Sequence, residues 1–385
     1  MARRTDPLSV ARDLKTLIRQ TRRVTEENRC LAPQVVERLI ETGLCRLGVP
    51  ARLGGYEAEP VVATKVYEEL AWADASAAWL PWNNMSLALH CRYWPESVQH
   101  QLYDNPRHIF ALSIRPTGTA KEVEGGLRVS GRWALVSGCE LADWLALMCV
   151  ITDRKEPKTQ ASRPPGPTFV LIPKSSYSIV DTWHVGGLRG SGSHDVVVDD
   201  VFVPDDHVYS YRDPAHDYWP LLRVPGGIIQ SAGCAAICLG VAQAAIDALI
   251  ALAQPNASVE QTPGLRDRQD VCTSVALSMA QVDAARLLLY DSLNDAWVTC
   301  RQGAPITPMQ RARSWSSAVH AAKTSKAVVT SMYEAAGSSA LYVDCPIERA
   351  HRDIHAVCQQ IMVLNRWLEQ AGRVLLGLEP TDPRF

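Results

Sequence analysis

The chain reads as an α+β protein in three zones: a helical N-terminal domain, a central β-barrel-like domain and a C-terminal four-helix bundle. Three observations predict it. Apolar residues recur at helical spacing up to about residue 108. Short alternating or wholly apolar runs, punctuated by turn residues, fill about 109–215. Four helical patterns far longer than the average helix then run through about 216–385.

In the first zone Val10, Leu14, Leu17 and Ile18 share a helical face, as do Val35, Val36, Leu39 and Ile40, with Gly43 as a stop. A turn at Leu53-Gly54-Gly55 precedes a helix carrying Val62, Val66, Tyr67 and Leu70, and another covers about 75–89. In the second zone Gly125-Gly126 marks a turn, and Leu127 to Ser130 alternates as a half-buried strand does. Apolar runs at 144–151, 169–172 (ended by Pro173) and 195–203 give further strands, while polar, proline-rich 155–167 reads as an exposed loop. The third zone offers helices at 228–253, 269–300, 309–336 and 348–376, a series that suggests an up-and-down bundle.

Composition narrows the function classes. With 385 residues, 47% hydrophobic and 21% charged, the chain has material for a sizeable core. A formal charge of −2 points neither to nucleic acid nor to an anionic membrane surface. The 11 cysteines match no zinc spacing, so no metal is expected, and Cys234 and Cys238 read as helix packing. No apolar signal segment follows Met1, and Gln230, Gln243 and Asp247 interrupt the longest apolar stretch. The expectation is a cytoplasmic protein with reduced thiols that binds neither nucleic acid nor membrane.

Five stretches, in order, carry a resemblance. They are Gly43 to Pro50 with Leu53-Gly54-Gly55; Ala73 to Trp79; Ser130-Gly131-Arg132-Trp133 with Ser137-Gly138-Cys139 and Ala142-Asp143-Trp144; Gly187 to Ser193 with Asp199 to Pro204; and Ala335 to Tyr342 with Arg349 and Arg352-Asp353. Together they resemble the acyl-CoA dehydrogenase fold, and within it the two-component flavin-dependent monooxygenases (group D hydroxylases). The resemblance implies reduced FMN or FAD delivered by a separate flavin reductase, O₂ as co-substrate, and oxygen transfer through a C4a-hydroperoxide to a small organic substrate, by N- or C-hydroxylation. It also implies a homotetramer.

It further implies site residues. Ser137 would offer a hydroxyl to the flavin N5, and Gly138 would let the backbone approach the ring; the plain alternative is a strand-end turn with a capping serine. Trp133 would pack near the ring, or else be core. Arg189, Ser191 and Ser193 would contact the flavin tail, or form an ordinary hairpin loop. Gly337 belongs to the C-terminal motif. Arg349 and Arg352, three apart on one helical face, would hold a phosphate or ribityl chain, unless Arg352 and Asp353 form a structural ion pair.

Two departures from the family pattern shape the expected chemistry. Many aromatic hydroxylases of this branch have a histidine seven residues after the Arg-Asp pair, acting as a base on a phenol; here Gln360 stands there. The segment 82–87, where a second histidine is common, has none, and Asn84 would line the substrate cavity with Gln360 as a non-basic polar group. His90 reads as a surface or packing residue, and His351 and His355 as helix surface. The missing bases suggest an amine or another nucleophile that needs no deprotonation. The alternatives are an acyl-CoA dehydrogenase-like flavin dehydrogenase, which needs a catalytic carboxylate absent from Gln359 to Val363, and a non-redox relative of the same fold.

Overall fold

The computed structural model describes residues 6–153, 166–213, 215, 219–254 and 264–385. Most of the expected loop at 155–167 lies outside the described residues. The chain opens with α1 (Pro7–Asn28), whose N-terminus is capped by Asp6, then α2 (Pro33–Glu41), α3 (Pro60–Ala73), α4 (Ala75–His90) and α5 (Glu96–Tyr103). The Asp74 carboxylate starts α4 by accepting the Ser76 N–H at 2.8 Å and the Ala77 N–H at 3.3 Å.

A seven-stranded sheet follows: β1 (Phe110–Val123), β2 (Gly126–Trp133), β3 (Trp144–Asp153), β4 (Thr168–Pro173), β5 (Ser178–Val180), β6 (Asp195–Pro204) and β7 (Val208–Tyr209). Their order in space is β5-β6-β2-β1-β3-β4-β7, antiparallel except for the β1–β3 pair. The central strand β1 was not among the predicted ones. Pro116 and Gly118 break its pattern, and its register against β3 shifts between Ser113 and Gly118.

Gly118 has a packing reason. A Cβ there would fall inside the Trp133 ring, which Gly131 also approaches. Trp133 is 0% exposed and its indole N–H donates to the Met148 carbonyl at 2.7 Å. Of the two readings of Trp133, its burial in the sheet's own core cluster favours core packing.

The bundle contains α6 (Gly226–Leu252), α7 (Gln269–Arg301) and α8 (Pro308–Ala336), within a residue or two of the predicted helices. The fourth helix is not continuous. It divides into α9 (Pro346–Val357), a 3₁₀ turn (Ile361–Val363) and α10 (Arg366–Leu375). Gln360 turns to extended backbone and its side chain accepts the Met362 N–H at 2.6 Å, capping the new turn; no proline or glycine signals the break. α6 and α7 are long and apolar enough to span a membrane by length and composition, but α6 is largely buried at the centre of the molecule. One core cluster joins the N-terminal helices to the bundle, so the sheet and both helical parts meet around α4 and the start of α6.

Candidate active site

Past the end of β2 the chain bends through Leu135 and Gly138, both at positive φ, and presents Ser137 beside α4. The Ser137 hydroxyl accepts the Trp79 indole N–H at 3.1 Å and lies 2.7 Å from the Ser193 hydroxyl, which lies 2.8 Å from that of Ser191. Three hydroxyls thus form a chain that begins at an indole. Ser191 and Ser193 are buried.

The loop that carries them, 187–193, is held from every side. Gly187 packs against the backbone of Arg352 on α9, Gly190 against Thr25 of α1 and Ser76 of α4, and the Gly138 N–H donates to the Ser191 carbonyl at 2.9 Å. The Leu188 N–H, at a positive-φ residue, donates to the Asp353 carboxylate at 2.7 Å. Burial, then the Asp74 charge, pushes the Asp353 carboxyl up to about 7, against the opposing pull of that N–H, Arg349 and Arg352.

A narrow cleft opens here, with a volume of about 10 Å³, room for roughly one water. Ser137 and Gly138 form one wall and Ser76, Trp79, Leu80 and Asn83 of α4 the other; Leu31, Leu141, Gly190 and Ser191 close it. None of these side chains is a titratable acid or base. The neighbouring thiols of Cys30 and Cys139 are pushed up to about 12 by burial first and the Glu140 charge second, so neither is a thiolate. A roomier cavity of about 290 Å³ lies between α1, α3, α6 and α9; on its lining Arg349 pairs with Asp74, Arg22 donates to the Trp72 and Ala73 carbonyls, Asp247 accepts the Trp72 indole N–H, Asp353 accepts the Leu188 N–H, and Arg19 lies over the Trp72 ring.

The predicted residues therefore separate into groups. Ser137, Gly138, Ser191 and Ser193 come together. Arg189 sits in the same loop with its buried Nε unpartnered. Asn84 does not face the cleft: its amide donates to the Leu80 and Phe110 carbonyls and accepts the Phe110 N–H, fastening α4 to β1. Its neighbour Asn83 lines the cleft instead, with a buried amide nitrogen that has no partner. Gln360 is occupied by its local cap and is not among the lining residues.

Arg349 is spent on Glu26 and Asp74, and Arg352 on Glu26, Glu348 and the Gly186 carbonyl, so both fasten α9 to the rest of the molecule. Arg352 and Asp353 turn to different partners rather than to each other. Gly337, at positive φ, lies exposed at the end of α8. His90 is a buried packing residue, its ring nitrogens 2.9 and 3.1 Å from the Tyr209 and Tyr211 hydroxyls, and burial pushes its pKa down to about 3.

The donors present would suit a flavin: hydroxyls for a ring edge, a glycine where the backbone must come close, and the Arg189 Nε–H in the same loop for a phosphate.

The acyl-CoA dehydrogenase N-terminal domain model matches residues 9–99 and the C-terminal domain model matches residues 232–364. Among characterised relatives, the indole-3-acetate monooxygenase of Acinetobacter baumannii is 30% identical, over 91% of this chain and 88% of its own. The flavin-dependent monooxygenase oxygenase subunit HsaA of Rhodococcus jostii is 30% identical, over 88% and 90%. The crystal structure of 3-HSA hydroxylase from Rhodococcus superposes with a TM-score of 0.88 at 27% identity, covering 99% of both chains. The fold and site thus define an acyl-CoA dehydrogenase-like flavoprotein. More narrowly, the chain belongs to the flavin-dependent monooxygenases built on that fold. It is an oxidoreductase that works with reduced flavin and O₂.

Proposed function

We propose that this oxygenase component takes reduced FMN or FAD from a separate reductase and oxygenates a small, neutral organic nucleophile that needs no deprotonation, such as an indole or an amine. One observation carries the reading: none of the side chains lining the Ser137 cleft is an acid or a base. His90, further along α4, is a poor base with both ring nitrogens engaged. A bound reduced flavin would supply the two electrons that activate O₂, the co-substrate. The chain's own part is to hold the ring edge by Ser137, to bind the tail by Arg189, Ser191 and Ser193, and to exclude water between α4 and the sheet.

Cytoplasmic residence is part of the same reading, which the cysteines suit, since none forms a disulfide among the described residues. A homotetramer is supported by apolar side chains left exposed on the bundle: Leu277 and Leu287 on α7, and Leu341, Tyr342 and Val343 beside Gly337.

The test is an oxygen-uptake assay with chemically reduced flavin, scoring oxygenated product against hydrogen peroxide. Indole and aniline should give product at a rate insensitive to pH across the neutral range. If resorcinol is oxygenated, at a rate rising with its ionisation, while indole and aniline yield peroxide alone, the reading is wrong.

A further inference from the structure

Polar and aromatic side chains recur along one face of α4: Ser76, Trp79, Asn83, Ser86 and His90, spaced three or four apart. Four of them are accounted for. Ser76 and Trp79 border the Ser137 cleft, the Ser86 hydroxyl donates to the Gln230 side-chain oxygen at 2.7 Å, and His90 sits between two tyrosines. Asn83 is the exception, with its amide nitrogen buried and unpartnered. Gln230 on α6 has the same property: it is 7% exposed, its oxygen is used by Ser86, and its nitrogen has no partner.

Asn83 and Ser86 are three residues apart, so the contact of Ser86 with Gln230 lies about one helical turn, roughly 5 Å in rise, along α4 from Asn83. An unpaired buried N–H costs on the order of 1–3 kcal/mol, a penalty that an ordered water or a bound acceptor offsets. No Lys or Arg belongs to this stripe, so the site suits a neutral acceptor better than an anion, and two N–H donors offer nothing to a cation.

We propose that Asn83 and Gln230 are specificity-determining residues that seat the substrate along α4, beyond the flavin at Ser137, by donating to an uncharged acceptor such as a carbonyl oxygen. This rests on the functional reading above.

Three indole probes of similar size separate the possibilities: indole-3-acetamide (neutral acceptor), 3-ethylindole (no acceptor) and tryptamine (cation). Each is titrated calorimetrically under anaerobic conditions into protein saturated with reduced FMN, after a titration with reduced FMN alone. The amide should bind tightest and tryptamine weakest. Asn83→Leu and Gln230→Met should each weaken the amide by about three- to tenfold, leave 3-ethylindole unchanged, and leave FMN affinity unchanged. Asn83→Ser, a smaller polar change, keeps the test open if the leucine variant does not fold. An unaltered amide-to-ethyl ratio in the variants overturns the proposal. So does a loss of FMN affinity in the Asn83 variants without a change in that ratio, which would assign Asn83 to the flavin. Failure of the wild type to bind reduced FMN at all would instead bring down the functional reading on which the proposal rests.

Discussion

Asp353→Asn isolates the charge of one buried carboxyl from its hydrogen bond. Asp353 is 5% exposed, accepts the Leu188 N–H, and is faced by Asp74 at the start of α4, Arg349 and Arg352 on its own helix, and Arg22 on α1. Its carboxyl moves from 3.8 to about 7 on folding. The rise is about 3 pK units at about 1.4 kcal/mol each, so the ionised form costs the folded state on the order of 4 kcal/mol. The folded value lies above the unfolded one. The native state therefore holds the proton more tightly, and the stability tied to this group is present below about pH 4 and lost as pH rises through about 7.

An asparagine oxygen accepts the same N–H without titrating. Integrating the linkage from about pH 5 to about pH 8, the advantage of Asp353→Asn over wild type should grow by about 2–3 kcal/mol. Urea unfolding of both proteins across that range, followed by circular dichroism, measures it. Only the difference between the two curves matters, since titrating groups that do not interact with Asp353 cancel. A difference that stays flat within about 0.5 kcal/mol would refute the claim that Asp353 is a destabilised anion, which rests on its burial near Asp74.

Two further outcomes test the site and the sheet. Arg189→Gln should weaken reduced FMN by about tenfold at low salt and leave reduced riboflavin, which lacks the phosphate, unchanged; equal losses for both would show that Arg189 does not serve the phosphate. Gly118→Ala forces a methyl into the Trp133 ring and should cost about 2–3 kcal/mol in denaturant unfolding, whereas a loss under about 0.5 kcal/mol would mean that the ring moves freely.

Local rules reached most of the fold. Helices with one apolar face or a clear stop were legible, as were strands that alternate or run wholly apolar. Where two levels of structure competed, the reading failed. β1 hides behind Pro116 and Gly118 because the strand is built around Trp133, a constraint that exists only after folding. The fourth bundle helix breaks where Gln360 bonds its own backbone, in a segment that helical propensity alone would continue. The hydroxyl chain was half legible. Ser137 and Ser193 each lay in a motif, but they are 56 residues apart, and Trp79 is 58 from Ser137. Strand pairing and helix docking bring Ser137 within 3.1 Å of the Trp79 indole and 2.7 Å of the Ser193 hydroxyl, and no local pattern encodes that.

The polar face of α4 illustrates a more general difficulty. A helix buried on all sides has no apolar stripe to mark its inner face, since Leu80, Leu87 and Leu89 are as buried as Trp79 and Trp82. In such a helix the informative period belongs to the polar residues, because burying each one requires a partner. Ser76, Trp79, Asn83, Ser86 and His90 keep that period in the bare sequence. A search for histidines at inherited positions passes over it and selects Asn84, whose amide ties α4 to β1, over Asn83, whose amide is free. Of these two asparagines, Asn83 is the one the fold leaves with an amide N–H to offer a ligand. Counting donors against acceptors along a buried helix therefore separates two adjacent asparagines that composition and spacing treat as equal.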